Sequence, residues 1–88
     1  MRPATRAQLL RAWMTWDSQP CVIATAHAME DACQAAAREL GCPCTRLRDH
    51  LSTARRDGAS RLAAINHAER AIEDEPSGGN RPASAATR

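Results

Sequence analysis

Residues 35–51 read AAARELGCPCTRLRDHL, and they contain the clearest helix boundary in the chain. Its alanines favour a helix, and Gly41 stands where the helix C-terminus needs a residue that tolerates positive φ. Pro43 prevents the same helix from continuing, because proline has no backbone N–H and its ring clashes with the preceding turn. The stretch therefore predicts a helix, a tight turn, and a second helix that begins near Thr45.

The positions around this turn have the residue types that a helix-turn-helix unit requires. Ala37, four residues before Gly41, is small enough for two helices to cross closely. Cys42 is a small apolar plug after the glycine, and Leu47 and Leu51 are placed to point back to the core. A helical hairpin that serves only to pack would use the same pattern, so that alternative stays open at this point.

Composition extends the helical prediction to the whole chain. Phe and Tyr are absent, and the β-branched aliphatic residues are only Val22, Ile23, Ile65 and Ile72. A chain of 88 residues has room for one small domain, and the shortage of large apolar side chains makes its core thin. We therefore expect an all-α domain of four or five helices over residues 1–75. The thin core also favours a homodimer.

Two further helices are predicted before the turn. Thr5 and Gln8 have the spacing of a capping box for a helix over residues 5–16, and its apolar face consists of Leu9, Leu10, Trp13, Met14 and Trp16. One long helix would satisfy the apolar series Val22, Ala26, Met29, Cys33, Ala36 and Leu40. Because residues 31–34 form a second capping-box pattern, we favour a split into helices over 21–29 and 31–40.

After the turn, a helix over residues 45–56 buries Leu47, Leu51 and Ala54. Ser60 can cap a last helix that ends before Pro76 and whose apolar stripe consists of Leu62, Ile65, Ala68 and Ile72. Residues 76–88 have no large apolar side chain and are predicted to form a disordered tail.

The charge pattern and the apolar pattern indicate the cellular setting. All 12 basic residues are Arg, and with 10 acids the net charge is +2. Positive segments at 1–16 and 38–61 alternate with negative segments at 17–31 and 69–75, an arrangement that fits either an anion-binding surface or solvated helix faces. No apolar run is long enough for a membrane span or a signal peptide, so we expect a cytoplasmic protein with reduced thiols.

The motif over residues 33–51 resembles the Fis-type helix-turn-helix family. The match is without a gap from Leu40-Gly41 through the turn to the Leu47-Arg48 pair and Leu51. This resemblance implies that the second helix binds double-stranded DNA in the major groove and that the protein acts as a dimer. The chain departs from the family in two respects. It lacks the Gly-Asn break that often precedes the first motif helix, and a further helix of about fifteen residues follows the motif.

If the unit binds DNA, the side chains of the second helix that face away from Leu47 and Leu51 reach base edges. These candidate base contacts are Thr45, Arg46, Arg48, Asp49 and Ser52. The candidate phosphate contacts are Arg38, Arg55, Arg56 and Arg61. The predicted function is a small transcriptional regulator.

Metal binding and catalysis are weaker interpretations. Cys42, Cys44 and His50, together with Cys33 or His67, offer soft ligands, but the spacing is not a common zinc pattern. No oxyanion loop or enclosing pocket accompanies a Cys-His pair, so we predict neither an enzyme nor a cofactor.

The alternative function is a helical inhibitor that occludes a protein partner, phage- or plasmid-encoded and similar in role to an anti-CRISPR or anti-activator protein. Such an inhibitor could also repress its own operon through the same motif. Residues 1–75 favour it, because their arginines and acids balance and dedicated DNA-binding domains are more basic. The two functions differ in what they require of Arg46 and Arg48. A regulator needs these side chains to project outward, whereas pairing with acids would favour the inhibitor.

Overall fold

The computed structural model describes residues 1–75, which form four α-helices. They are α1 (Pro3–Ser18), α2 (Ile23–Leu40), α3 (Cys44–Arg56) and α4 (Arg61–Glu73). This part of the chain contains no strand, so the all-α prediction is confirmed. Within the same residues, no helix has the length and apolar character needed to cross a membrane. The tail predicted over residues 76–88 lies outside the described residues.

Helix α1 begins two residues earlier than the capping-box pattern predicted. Pro3 occupies the first helical position, where its preset φ suits the helix and its missing N–H costs nothing. Arg2 is the N-cap residue and supplies no side-chain cap. Thr5 is instead buried inside the first turn, and its hydroxyl donates to the Glu39 carboxylate of α2. The capping box at Thr5 and Gln8 was therefore a wrong prediction.

Helix α2 runs without a break, so the predicted split at residues 31–34 is also wrong. Asp31 is exposed in the middle of the helix, where its carboxylate stays in water. The alanines on both sides of Asp31 favour a continuous helix, because Ala loses no side-chain entropy there. A break would also give up backbone hydrogen bonds. The helix ends at Gly41, which has the left-handed φ of 72°.

The helices pack as two pairs, α1 along α2 and α3 along α4, and contacts of α2 with α3 and of α1 with α4 join the pairs. The core is thin, as predicted, and half of it is alanine. Its buried residues are Leu9, Ala12, Trp13, Ala32, Cys33, Ala36, Ala37, Leu47, Leu51, Ala54, Ala64, Ile65, Ala68 and Ile72. Ala37 has only 3% of its surface exposed, as expected for the small residue at a helix crossing.

Three predicted core residues are exposed: Met14 (50%), Val22 (43%) and Leu62 (47%). Met14 lies about 140° around the helix from Leu9, beyond the face that α2 covers. Val22 is the N-cap residue of α2 and precedes its packed face, and Leu62 lies in the first turn of α4. Trp16 is half-buried rather than enclosed. Apolar periodicity thus overestimated the buried surface at the helix ends.

Ion pairs tie the chain start to the later helices. The N-terminal amino group of Met1 lies 2.5 Å from Glu69 Oε2, and Arg6 pairs with the same carboxylate. At the opposite end of α1, Asp17 Oδ2 lies 2.6 Å from Arg61 Nε. These contacts hold α1 against α4 along its length.

Candidate nucleic-acid interface

A three-residue turn, Gly41 to Pro43, joins α2 to α3. The backbone N–H of Gly41 donates to Arg38 O at 3.2 Å, and that of Cys42 donates to Ala37 O at 3.1 Å. These two bonds satisfy carbonyls at the end of α2, and the left-handed glycine makes them possible. Pro43 is extended (φ −63°, ψ 145°) and is the N-cap residue of α3. The turn therefore redirects the chain within three residues, a length typical of helix-turn-helix units.

Helix α3 presents one apolar and one polar face. Leu47, Leu51 and Ala54 are buried, as predicted. The five candidate base contacts are all exposed, and they are Thr45, Arg46, Arg48, Asp49 and Ser52. The structure therefore brings these five side chains together on the outward side of one helix.

The candidate phosphate contacts differ in their surroundings. Arg38 and Arg56 are exposed at the ends of α2 and α3. Arg55 is exposed too, but its Nη1 donates to Ala59 O at 2.7 Å, and its Cζ lies 5.9 Å from the centroid of the Trp13 ring. Arg61 is partly buried and its Nε pairs with Asp17, so it is less available to a phosphate than the sequence suggested.

Arg46 is bound to an acid from the end of α4. Its Nη1 lies 2.7 Å from Glu75 Oε1, and His50 Nε2 lies 3.3 Å from the other oxygen of that carboxylate. The hydrogen bond from Arg46 lowers the pKa of Glu75 and raises the pKa of Arg46 itself. One candidate base contact is thus held by a carboxylate 29 residues away.

Arg48 is bound to an acid of α2. Its Nη2 donates to Glu30 Oε1, and Gln34 Nε2 donates to Glu30 Oε2 at 2.9 Å. The hydrogen bond from Arg48 is the main reason that the pKa of Glu30 is lowered. Arg46 and Arg48 are thus both exposed, and both are paired with acids of neighbouring segments.

Sequence reasoning missed Glu30 and Glu75 as partners. Neither acid stands at a helical spacing from the arginine it binds, so only the packing of α2 and α4 against α3 brings them together. The exposed ion pairs are weak, because water and salt screen them.

The cysteines are free thiols in different environments. Cys33 is buried, Cys42 and Cys44 are partly buried, and Cys21 is exposed. Burial raises the pKa of Cys33 and of Cys42, which keeps both thiols protonated. Among residues 1–75, no three His, Cys, Asp or Glu side chains are grouped so that they could hold a metal ion.

A cavity beside α3 was also missed, because both tryptophans were assigned to the core. Its volume is about 350 Å³, and its lining residues are Trp13, Trp16, Ala26, Met29, Glu30, Arg48, Leu51 and Ser52. The spacing of the tryptophans along α1 was visible, but the lining residues come from α1, α2 and α3, so the cavity depends on how these three helices pack together.

Comparison with known proteins adds no family. The chain matches no protein-family model, and no significant match is found among the curated proteins or the solved structures.

Proposed function

We propose that this protein binds double-stranded DNA by placing α3 in the major groove. The observation that carries the proposal is the three-residue turn at Gly41, followed by a helix whose exposed side bears five polar residues able to bond base edges. A helix is the right size for the major groove, and α2 before the turn is in contact with α3.

The exposed arginines have separable roles in this proposal. Arg46 and Arg48 are near the start of α3, the part of a recognition helix that contacts bases, and each can pair bidentately with guanine. Arg38 and Arg56 lie at the helix ends, where they favour phosphate contacts that carry no sequence information.

The ion pairs to Glu30 and Glu75 oppose this function only weakly. Releasing both arginines costs little, because water and salt screen exposed ion pairs. A single bidentate contact to guanine is worth about 1–3 kcal/mol. DNA binding can therefore displace the acids, at some loss of affinity.

We propose further that the DNA-binding form is a homodimer. Four large apolar side chains are strongly exposed in the described residues: Met14, Val22, Ile23 and Leu62. A second copy of the chain would bury such side chains and add apolar contacts to a protein whose own core is thin. Light scattering over a dilution series tests this point, since a constant mass of 9.5 kDa would exclude the dimer.

The test of DNA binding is fluorescence anisotropy with a labelled pool of random duplexes at about 50 and about 200 mM salt. Neutralising three or four phosphates predicts a loss of affinity of roughly 40- to 150-fold between these two concentrations. Arg56→Ala should weaken binding to every duplex by a similar factor. Arg46→Ala and Arg48→Ala should reduce the protein's preference for some duplex sequences over others. Arg70→Ala, on the exposed side of α4, is the matched control.

The second candidate function is occlusion of a protein partner. It is favoured by the binding of Arg46 to Glu75 and of Arg48 to Glu30, and by the equal numbers of arginines and acids in residues 1–75. Absence of duplex binding even at the lower salt concentration would remove the DNA-binding proposal and leave this one.

A further inference from the structure

The cavity beside α3 has the walls of a small-molecule site. The side chains of Trp13, Met29 and Leu51 provide apolar surface, and Trp16 adds a half-exposed aromatic ring. A volume of about 350 Å³ is within the range of small-ligand pockets. Two indoles, a thioether and aliphatic groups together favour a flat aromatic body, which gains both burial and ring stacking.

The polar groups of the cavity are few and lie together. Glu30, Arg48 and Ser52 are the polar members of the lining, and each has solvent exposure. They therefore mark the mouth together with the half-exposed Trp16, while the buried Trp13 and Leu51 form the interior. A ligand with a single polar end would place that end at the mouth.

Charge and hydrogen-bonding capacity indicate whether the polar end of the ligand is an anion or a cation. Both oxygens of Glu30 already accept a hydrogen bond, one from Arg48 and one from Gln34. A guanidinium has five N–H donors, so Arg48 keeps donors for a second acceptor. A second guanidinium, that of Arg55, lies over the Trp13 ring. Arg55 does not line the cavity, and within the lining the charges of Arg48 and Glu30 balance. Because both Glu30 oxygens are occupied while the Arg48 guanidinium keeps free donors, the mouth favours a ligand end that accepts hydrogen bonds, such as a carboxylate.

We propose that this cavity binds a small aromatic carboxylate, with its rings against Trp13 and Trp16 and its carboxylate on Arg48. A planar carboxylate matches the guanidinium fork bidentately, which gives the site its selectivity for this class. Because Arg48 is also a candidate base contact, the ligand competes with DNA for the same guanidinium. This competition rests on the proposed DNA binding, whereas the ligand binding does not.

The direct test is a titration of the full chain followed by the two tryptophan indole N–H signals in a ¹H–¹⁵N correlation spectrum. The probes share one ring system and differ in charge: naphthalene-2-carboxylate, naphthalene-2-methanol and 2-naphthylmethylamine. Both indole signals should shift with the carboxylate, and it should bind about tenfold more tightly than the alcohol. Unmoved indole signals, or an amine that binds as tightly as the carboxylate, would overturn the proposal.

Three variants localise the site. Ala26→Leu fills the cavity and should abolish the shifts, whereas Ala63→Leu makes the same change on an exposed part of α4 and should leave them intact. Arg48→Gln leaves the apolar walls of the cavity unchanged but removes the guanidinium. This variant should bind naphthalene-2-carboxylate only as tightly as naphthalene-2-methanol. The same spectra report whether each variant is folded. If the Arg48→Gln protein bound the carboxylate as tightly as the unaltered chain does, the role assigned to the guanidinium would be refuted.

The effect on DNA is measured separately, by the anisotropy assay with saturating naphthalene-2-carboxylate. Duplex affinity should fall about tenfold, the loss expected when one charged contact is blocked. If the probe binds and the protein has no duplex affinity at all, the DNA-binding proposal fails and the ligand site stands. If duplex affinity is present and unchanged by bound probe, the competition at Arg48 is refuted.

Discussion

The guanidinium of Arg46, in the first turn of α3, lies 2.7 Å from the carboxylate of Glu75, just beyond the end of α4. This contact ties the end of the helical domain to the helix proposed to enter the DNA groove. It also places a negative charge beside that helix, where it would repel phosphates.

Removing this charge should strengthen DNA binding. Glu75→Gln frees Arg46 from its ionic partner, and we expect duplex affinity to rise about two- to fivefold, the worth of one exposed ion pair. Anisotropy at low salt measures the change. Glu73→Gln removes the same charge from an exposed position on α4 and controls for the change in net charge. Equal or weaker binding by Glu75→Gln alone would show that the pair does not compete with DNA.

The turn at Gly41 makes a prediction about stability. A side chain at this position would meet no atom within 4 Å, so the φ of 72° alone determines the cost of a substitution. Gly41→Ala should lower the free energy of unfolding by about 1–2 kcal/mol, because an L-residue is strained in the left-handed region. Gly41→Asn should lose less, since asparagine tolerates that conformation. Urea denaturation compares the two, and equal losses would contradict a purely conformational cost.

Helix positions near the turn were predictable because local chemistry determines them. Gly41 and Pro43 mark the boundary by their backbone restrictions, and Ser60 caps α4 by accepting from the Ala63 N–H at 3.1 Å. The prediction at Thr5 was wrong, because its hydroxyl does not cap α1. It donates a hydrogen bond to Glu39 of the neighbouring helix α2 instead.

The candidate site was predictable only in part, for the same reason. Leu47 and Leu51 determine which side of α3 faces outward. The exposure of the five candidate base contacts could therefore be predicted from helical periodicity. The partners of Arg46 and Arg48 come from α4 and α2, at sequence distances that no local rule covers. The cavity depends on the angles between three helices, which the sequence pattern does not specify.

The alanine core predicts a sharp difference between neighbouring positions on α4. Ala64 is completely buried, whereas Ala63 is exposed. Ala64→Leu should lower the free energy of unfolding by about 1–3 kcal/mol, because three extra carbons do not fit between closely packed helices. Ala63→Leu should change it by less than about 0.5 kcal/mol. Urea denaturation of both variants checks this, and a neutral Ala64→Leu would show that the helices separate easily.

Glu39 predicts how stability responds to acid. Its carboxylate accepts from the Thr5 hydroxyl and, at 2.9 Å each, from the backbone N–H and the Nε of Arg2. These donors lower its pKa from 4.5 to about 2 in the folded protein. Because the folded-state pKa lies below the unfolded one, the stabilisation is complete above pH 4.5 and is lost as the pH falls toward 2. Glu30, Glu69 and Glu75 shift in the same direction.

Glu39→Gln should therefore be less stable than the unaltered chain at about pH 7 and should lose less stability on acidification to about pH 3. The amide can accept only part of the hydrogen bonding that the carboxylate receives, and it carries no charge to titrate. Urea denaturation at the two pH values measures the difference, with Glu73→Gln as the control at an exposed position of α4. If the Glu39→Gln chain lost as much stability in acid as the unaltered chain, the contacts of Glu39 with Thr5 and Arg2 would not be linked to folding.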